Sequence, residues 1–120
     1  MPNIDGALRF DRERKFSGET IWSGLYILRK RTDAGYFSIG YDSTHRRGLI
    51  LQIEISEPLQ GKGLGRIFVG KCEDFLKSKG ARILVANSVS QNAIGFWRAL
   101  GYEPDGSGDM FKGVGGQLLF

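Results

Sequence analysis

The segment Gln60-Gly61-Lys62-Gly63-Leu64-Gly65-Arg66 holds the most specific chemistry in the chain. It follows an Ile- and Leu-rich run and precedes apolar residues at helical spacing, so its glycines stand where a strand gives way to a helix. Glycine lets backbone N–H groups converge on an anion without a Cβ in the way. A helix start adds unpaired N–H donors and partial positive charge. Lys62 and Arg66 supply full charges beside them. The pattern points to a phosphate-bearing ligand, with a tight turn that binds nothing as the alternative. It speaks against two loops of that class: no Lys-Ser or Lys-Thr completes a Walker spacing, and Gly61, Gly63 and Gly65 alternate instead of forming Gly-x-Gly-x-x-Gly.

Other reactive residue types are scarce. Cys72 is the single cysteine, which excludes an intrachain disulfide and a multi-cysteine metal site. It falls on an apolar helix stripe and reads as a buried small residue, not a nucleophile. The single histidine, His45, lies in the turn Ser43-Thr44-His45-Arg46-Arg47. One histidine argues against a zinc site or a His-based triad, and no metal is expected.

The elements that must position these residues show as changes of period. Ile21 to Leu28, Tyr36 to Tyr41 and Leu49 to Ser56 read as three strands of an antiparallel meander, with Arg29 to Gly35 and Asp42 to Gly48 as turns. Leu64, Ile67, Phe68, Cys72, Phe75 and Leu76 then mark a helix, which Gly80 ends. Arg82 to Ala86 reads as a short buried strand. Gln91 to Leu100 reads as a second helix, with Ser90 as N-cap and Gly101 as its stop. Two short strands flank the Asp105-Gly106-Ser107-Gly108 turn. The order β-β-β-α-β-α-β-β predicts a mixed α/β sheet.

Composition bounds the rest. A chain of 120 residues suits one domain, and 41% hydrophobic with 25% charged residues is an ordinary soluble balance. The net charge of +4 favours a phosphorylated ligand or an acidic partner but is too small and scattered to argue for nucleic acid. No membrane span or leader is read, so a cytoplasmic protein is expected. Residues 1–20 read as a polar N-terminal arm or a short first strand, 21–112 as the core and 113–120 as a glycine-rich apolar tail without an account.

Gln60-x-x-Gly63-x-Gly65 resembles the Q/R-x-x-G-x-G/A motif of the GCN5-related N-acetyltransferase (GNAT) family. Asn92-Ala93-Ile94-Gly95-Phe96-Trp97-Arg98-Ala99-Leu100-Gly101-Tyr102-Glu103 is similar to the family's second signature, N-A-I-x-F-[YW]-x-x-L-G-[FY]. The likeness covers Leu49 to Lys112. It implies a single compact α/β domain, a mixed and mostly antiparallel sheet with a V-shaped split and two main helices. The split would open where a mid-strand bulge parts the strand of Ile53 and Ile55 from that of Ile83 to Ala86. Acetyl-CoA is the implied co-substrate. Its pyrophosphate would sit on the amides of Gly61, Lys62, Gly63, Leu64, Gly65 and Arg66, after Gln60. Its pantetheine arm would lie along Ile53 and Ile55, with Phe96 also in the binding set. Ser90 stands where many relatives carry an asparagine that contacts CoA; Asn87 or Asn92 is expected to take that contact, or Ser90 to make it through its hydroxyl.

The implied reaction moves an acetyl group to a primary amine by direct attack in a ternary complex. A lysine-type amine is only roughly 0.04% neutral at pH 7, so a base must help. Glu54, between Ile53 and Ile55, is the candidate, with partial burial expected to raise its pKa. Its alternative is an ordinary solvent-facing strand residue beside Gln52. Trp97 replaces the tyrosine that serves many relatives as general acid and reads as packing, as does Tyr102, so the acid is unassigned. Relatives usually wall the acceptor pocket with one or two helices between their first and second strands, and no such helix is legible here. An open site suits an exposed protein lysine or N-terminus, or an acceptor site completed by a second subunit, which makes a homodimer an open alternative. The rival reading is an acyl-CoA-binding module that acts through a partner protein without catalysis.

Overall fold

The computed structural model describes residues 6–28 and 31–114. Seven strands form one sheet: β1 (Ala7–Phe16), β2 (Glu19–Leu28), β3 (Arg31–Asp42), β4 (Arg47–Ile55), β5 (Ile83–Ala86), β6 (Glu103–Pro104) and β7 (Met110–Gly113). Helix α1 (Leu64–Lys79) joins β4 to β5, and α2 (Ile94–Ala99) follows a 3-10 turn at Gln91–Ala93. The strand order is β1-β2-β3-β4-β5-β7-β6. Only β4 and β5 run parallel, as a strand–helix–strand crossover requires.

Of the two readings of the N-terminal segment, its described residues take the strand, and that strand is ten residues long. β1 pairs with β2 from Ala7↔Ile27 to Phe16↔Glu19, through a two-residue connection at Ser17 and Gly18. Leu8 packs on the core, while the outward arginines of this edge strand hide its alternation in the sequence. The segment read as a turn before Tyr36 is instead the start of β3: Ala34 is fully buried, and Ser56 N–H donates to its carbonyl at 2.8 Å. Gln91 to Leu100 is a 3-10 turn followed by a short α-helix, and the Ser90 hydroxyl makes no cap bond.

The core lies on one face. Tyr26, Phe37, Ile39 and Leu84 of the sheet are fully buried against Phe68, Val69, Cys72 and Leu76 of α1. The Tyr26 and Phe68 rings stack at 4.5 Å. A Phe68→Ala cavity in such a core costs about 3–5 kcal/mol. Gly80 at φ 114 and Gly101 at φ 97 end the two helices in the left-handed region, as the sequence predicts. In the segment read as a tail, Gly113 pairs with Ile83 and Val114 N–H donates to the Arg82 carbonyl; 115–120 lie outside the described residues.

A candidate acyl-transfer site

The site begins with an extra residue. Ser38 pairs with Gln52 and Ile39 with Ile50, so Leu51 is a bulge in β4. Below it, Arg47 to Ile50 pair with Ile83 to Ala86 of β5. Above it, Leu51–Ile55 keep β3 as neighbour but have no β5 partner, and the sheet splits there. A cleft of about 240 Å³ opens between the parted strands, walled by Ile50–Glu54, Asn87–Ser90, Ala93 and Trp97.

The glycine loop sits at the head of this split. Gly61 (φ 75) and Gly63 (φ 81) adopt left-handed backbone, and a Cβ on either would meet nothing within 4 Å. They are glycine for the turn and not for lack of space. Gly63 is the N-cap of α1, so no side chain caps the helix start. None of the Gly61, Lys62 and Gly63 N–H groups is taken by a backbone carbonyl among the described residues. A cavity of about 710 Å³ faces these donors, lined by Ile55, Gln60, Gly61, Lys62, Gly63, Gly65, Arg66, Ile67 and Phe96. Gly65 has a separate reason: a Cβ there would lie 3.3 Å from the Phe96 ring, so α2 rests on the first turn of α1. The Gln60 side-chain amide donates to the Ile55 carbonyl at 2.9 Å and ties the loop to the end of β4.

The predicted residues divide accordingly. Ile55, Gln60, Gly61, Lys62, Gly63, Gly65, Arg66 and Phe96 gather around one cavity, and Ile53, Glu54 and Asn87 around the other. Leu64 turns its side chain into the protein and offers only its backbone. Asn92 is exposed in the 3-10 turn and lines neither cavity. Glu54 is exposed, so the burial expected around it is absent; its carboxylate accepts from the Gln52 amide at 2.7 Å.

Three groups are taken by the fold. Trp97 is buried edge-on against Tyr102. The Tyr102 hydroxyl donates to Glu73 at 2.7 Å, and Lys112 pairs with the same carboxylate at 3.0 Å. Burial first, then the Glu73 carboxylate, pushes the Tyr102 phenol far above its ordinary range. Burial pushes the Cys72 thiol up to about 12, so it stays protonated near neutral pH. His45 is exposed in the β3–β4 turn, bound to Asp42 at 2.9 Å and on the far end of β4 from the cleft.

Two features were not legible. Asp109 grips the strand end beyond β5, accepting from Ser88 N–H at 2.8 Å and holding Ser88 at φ 51 in the cleft wall. The Asn87 side-chain amide oxygen (Oδ1) beside it is buried without a partner among the described residues. A third cavity of about 370 Å³ shares Glu54 and Ile55 with the other two and adds Leu25, Asp33, Gly35, Tyr36, Ser56 and Glu57. Three of its residues are acidic and none is Lys or Arg. Tyr36 enters because it pairs in register with Glu54 across β3 and β4, which sequence spacing alone does not reveal.

The acetyltransferase (GNAT) family model matches residues 6–102. Streptothricin acetyltransferase from Streptomyces lavendulae is 31% identical over 71 residues, 58% of this chain and 38% of that protein, so the chain spans well under half the length of this curated relative. Among solved structures, an acetyltransferase from Bacillus cereus superposes with a TM-score of 0.68 at 18% identity, covering 80% of this chain and 74% of that one. A nourseothricin acetyltransferase gives 0.62 at 20% identity, covering 92% and 85%. At such identities the likeness is one of fold.

Proposed function

The chain belongs to the acetyltransferase (GNAT) family, and from that premise we propose that it transfers an acetyl group from acetyl-CoA to a primary amine by direct attack in one ternary complex. The observation that carries this reading is the meeting of three cavities on the last two residues of β4: Ile55 is shared by the glycine cradle and the acidic pocket, Glu54 by the acidic pocket and the split.

The residues present fit the donor substrate. Free loop amides, the uncapped start of α1, Lys62 and Arg66 suit its pyrophosphate. The unpaired edge of Leu51–Ile55 suits the amides of the pantetheine arm, in the manner of an added strand. The acidic pocket suits a cationic amine, which Glu54 relieves of one proton before the neutral nitrogen attacks the thioester carbonyl; the second proton, shed by the nitrogen as the tetrahedral intermediate collapses, passes to the leaving sulfur. The C–N bond forms, the C–S bond breaks and CoA leaves as its thiol. The two-residue β1–β2 connection leaves the pocket without a helical wall, which supports an acceptor presented from outside, either an exposed protein lysine or a small polyamine. The relative named for streptothricin supports the small-molecule class.

The test is CoA release on mixing the protein with acetyl-CoA and a panel of primary amines and lysine peptides. One thiol should be released per acetylated amine, and Cys72→Ala should turn over as well as the parent. The exposure of Glu54 and burial of Trp97 favour the rival reading of a non-catalytic acyl-CoA-binding module. Calorimetric binding of CoA with no release across the panel would establish that rival.

A further inference from the structure

The wall of the split that faces the free edge of β4 departs from strand geometry at one residue. Among the described residues, two that are not glycine take a positive φ: Arg46 in the β3–β4 turn and Ser88, just beyond β5, at φ 51. Such backbone is unfavourable for a residue with a side chain and persists only where its surroundings hold it. Here the surroundings are Gly108 and Asp109, the two residues before β7.

The hydrogen bonds show what the strain achieves. The sheet order puts β4 on one side of β5 and β7 on the other. Asn87 N–H donates toward β4, to the Ile50 carbonyl at 3.0 Å. Ser88 N–H donates the other way, to the Asp109 carboxylate at 2.8 Å. Extended backbone would turn the next N–H back toward β4. Instead Val89 N–H also donates on the β7 side, to the Gly108 carbonyl at 2.9 Å. In a planar trans peptide the N–H and C=O point in opposite directions, and no described peptide is cis. The carbonyls of Asn87 and Ser88 therefore both turn toward β4, where that strand has no partner beyond Ile50. Neither carbonyl is taken by a backbone donor among the described residues. The buried Asn87 Oδ1, whose amide nitrogen faces Asp109 at 3.4 Å, adds a third unclaimed acceptor.

This wall thus offers acceptors and withholds donors. Residues 87–90 line the split but not the acidic pocket, so they face whatever occupies the split and not an amine held beside Asp33 and Glu57. We infer that Asp109 is a positioning residue for the donor substrate: its grip on Ser88 N–H sets the Asn87 and Ser88 carbonyls to accept from amide N–H groups of the pantetheine arm, across the cleft from the β4 edge. The inference rests on the acyl-transfer reading. It gives the arm a second polar wall, held in place by a side chain that does not itself line the cleft.

Calorimetry with CoA and with 3′-phospho-ADP, the part of CoA that lacks the arm, tests it without turnover. The parent should bind both. Asp109→Ala frees the Ser88 peptide and should weaken CoA about tenfold, on the scale of one hydrogen bond, with 3′-phospho-ADP unchanged. Asp109→Asn keeps an oxygen for Ser88 N–H and should bind CoA within about threefold of the parent. Ser88→Val reaches the same peptide without touching Asp109, since a β-branched residue resists φ 51, and should match the Asp109→Ala loss. Circular dichroism sets a temperature at which every variant is folded. CoA binding unchanged in Asp109→Ala or in Ser88→Val, an Asp109→Asn protein as weak as Asp109→Ala, or an equal loss for both ligands would each overturn the inference and leave the acyl-transfer reading intact. A parent that binds neither ligand would remove that reading, and this inference with it.

Discussion

The two ends of β4 are built on opposite principles. At its start, the strand pairs on both sides and its turn is held by side chains. Asp42 accepts from the Arg47 guanidinium at 2.8 Å, the His45 ring at 2.9 Å and the backbone N–H groups of Thr44 and His45. At its end, one side has no strand partner, and the glycine loop that follows leaves N–H groups open. One end uses polar side chains to satisfy backbone and neighbours; the other leaves backbone polar groups without strand partners among the described residues. Polar groups of one strand thus serve stability where they are paired, and on the proposed function they serve recognition where they are not.

This contrast can be broken from either end. The largest effect should come from Glu54→Gln, expected to lower kcat on the order of 100-fold with CoA affinity unchanged, read from steady-state release and calorimetry. Next, Gly63→Val should weaken CoA binding at least tenfold, because a β-branched residue resists φ 81 and its side chain enters the cradle. The same strain lowers the unfolding midpoint, so binding is compared at a temperature where circular dichroism shows the variant folded.

The opposite end should give the inverse outcome. Asp42→Asn should lower the unfolding midpoint while leaving CoA affinity unchanged. The Arg47 guanidinium, then His45, hold the Asp42 carboxyl well below the usual carboxylate range. Its folded pKa is depressed, so its contribution is fully present above pH about 4 and is lost as pH falls below that. The variant should therefore show a shallower fall in stability on acidification, measured by thermal melts from pH 6 to 3. The smallest effect belongs to Cys72→Ala, which should leave kcat unchanged and cost about 1 kcal/mol, on the scale of an Ile→Val truncation. Loss of turnover in a folded Cys72→Ala protein would contradict direct attack.

Legibility in the sequence followed the range of the forces involved. The helix stops at Gly80 and Gly101, the glycine loop and the stripe of α1 depend on neighbours within a few residues, and all stand where the residues imply. β1 was obscured because it is an edge strand whose exposed arginines mask the inward Leu8, and only pairing with β2 reveals it. The start of β3 was obscured because polar and small residues such as Asp33 and Gly35 are extended by their partners, not by propensity. The site divides in the same way. The cradle is one contiguous segment and was readable. The acidic pocket joins β2, β3 and β4 through register, so Tyr36 and Asp33 carried no local signal.

The split in β4 also bears on aggregation. An unpaired strand edge is normally a template for another chain, and proteins blunt it with charge, proline or brevity. Here the free edge of Leu51–Ile55 lies in the interior of the sheet, with the Asn87–Ser90 segment and Trp97 across a narrow gap. On the proposed function that gap takes a slender amide-bearing arm. The fold places this open edge inside the sheet and not at its border, away from the position where strand addition usually starts.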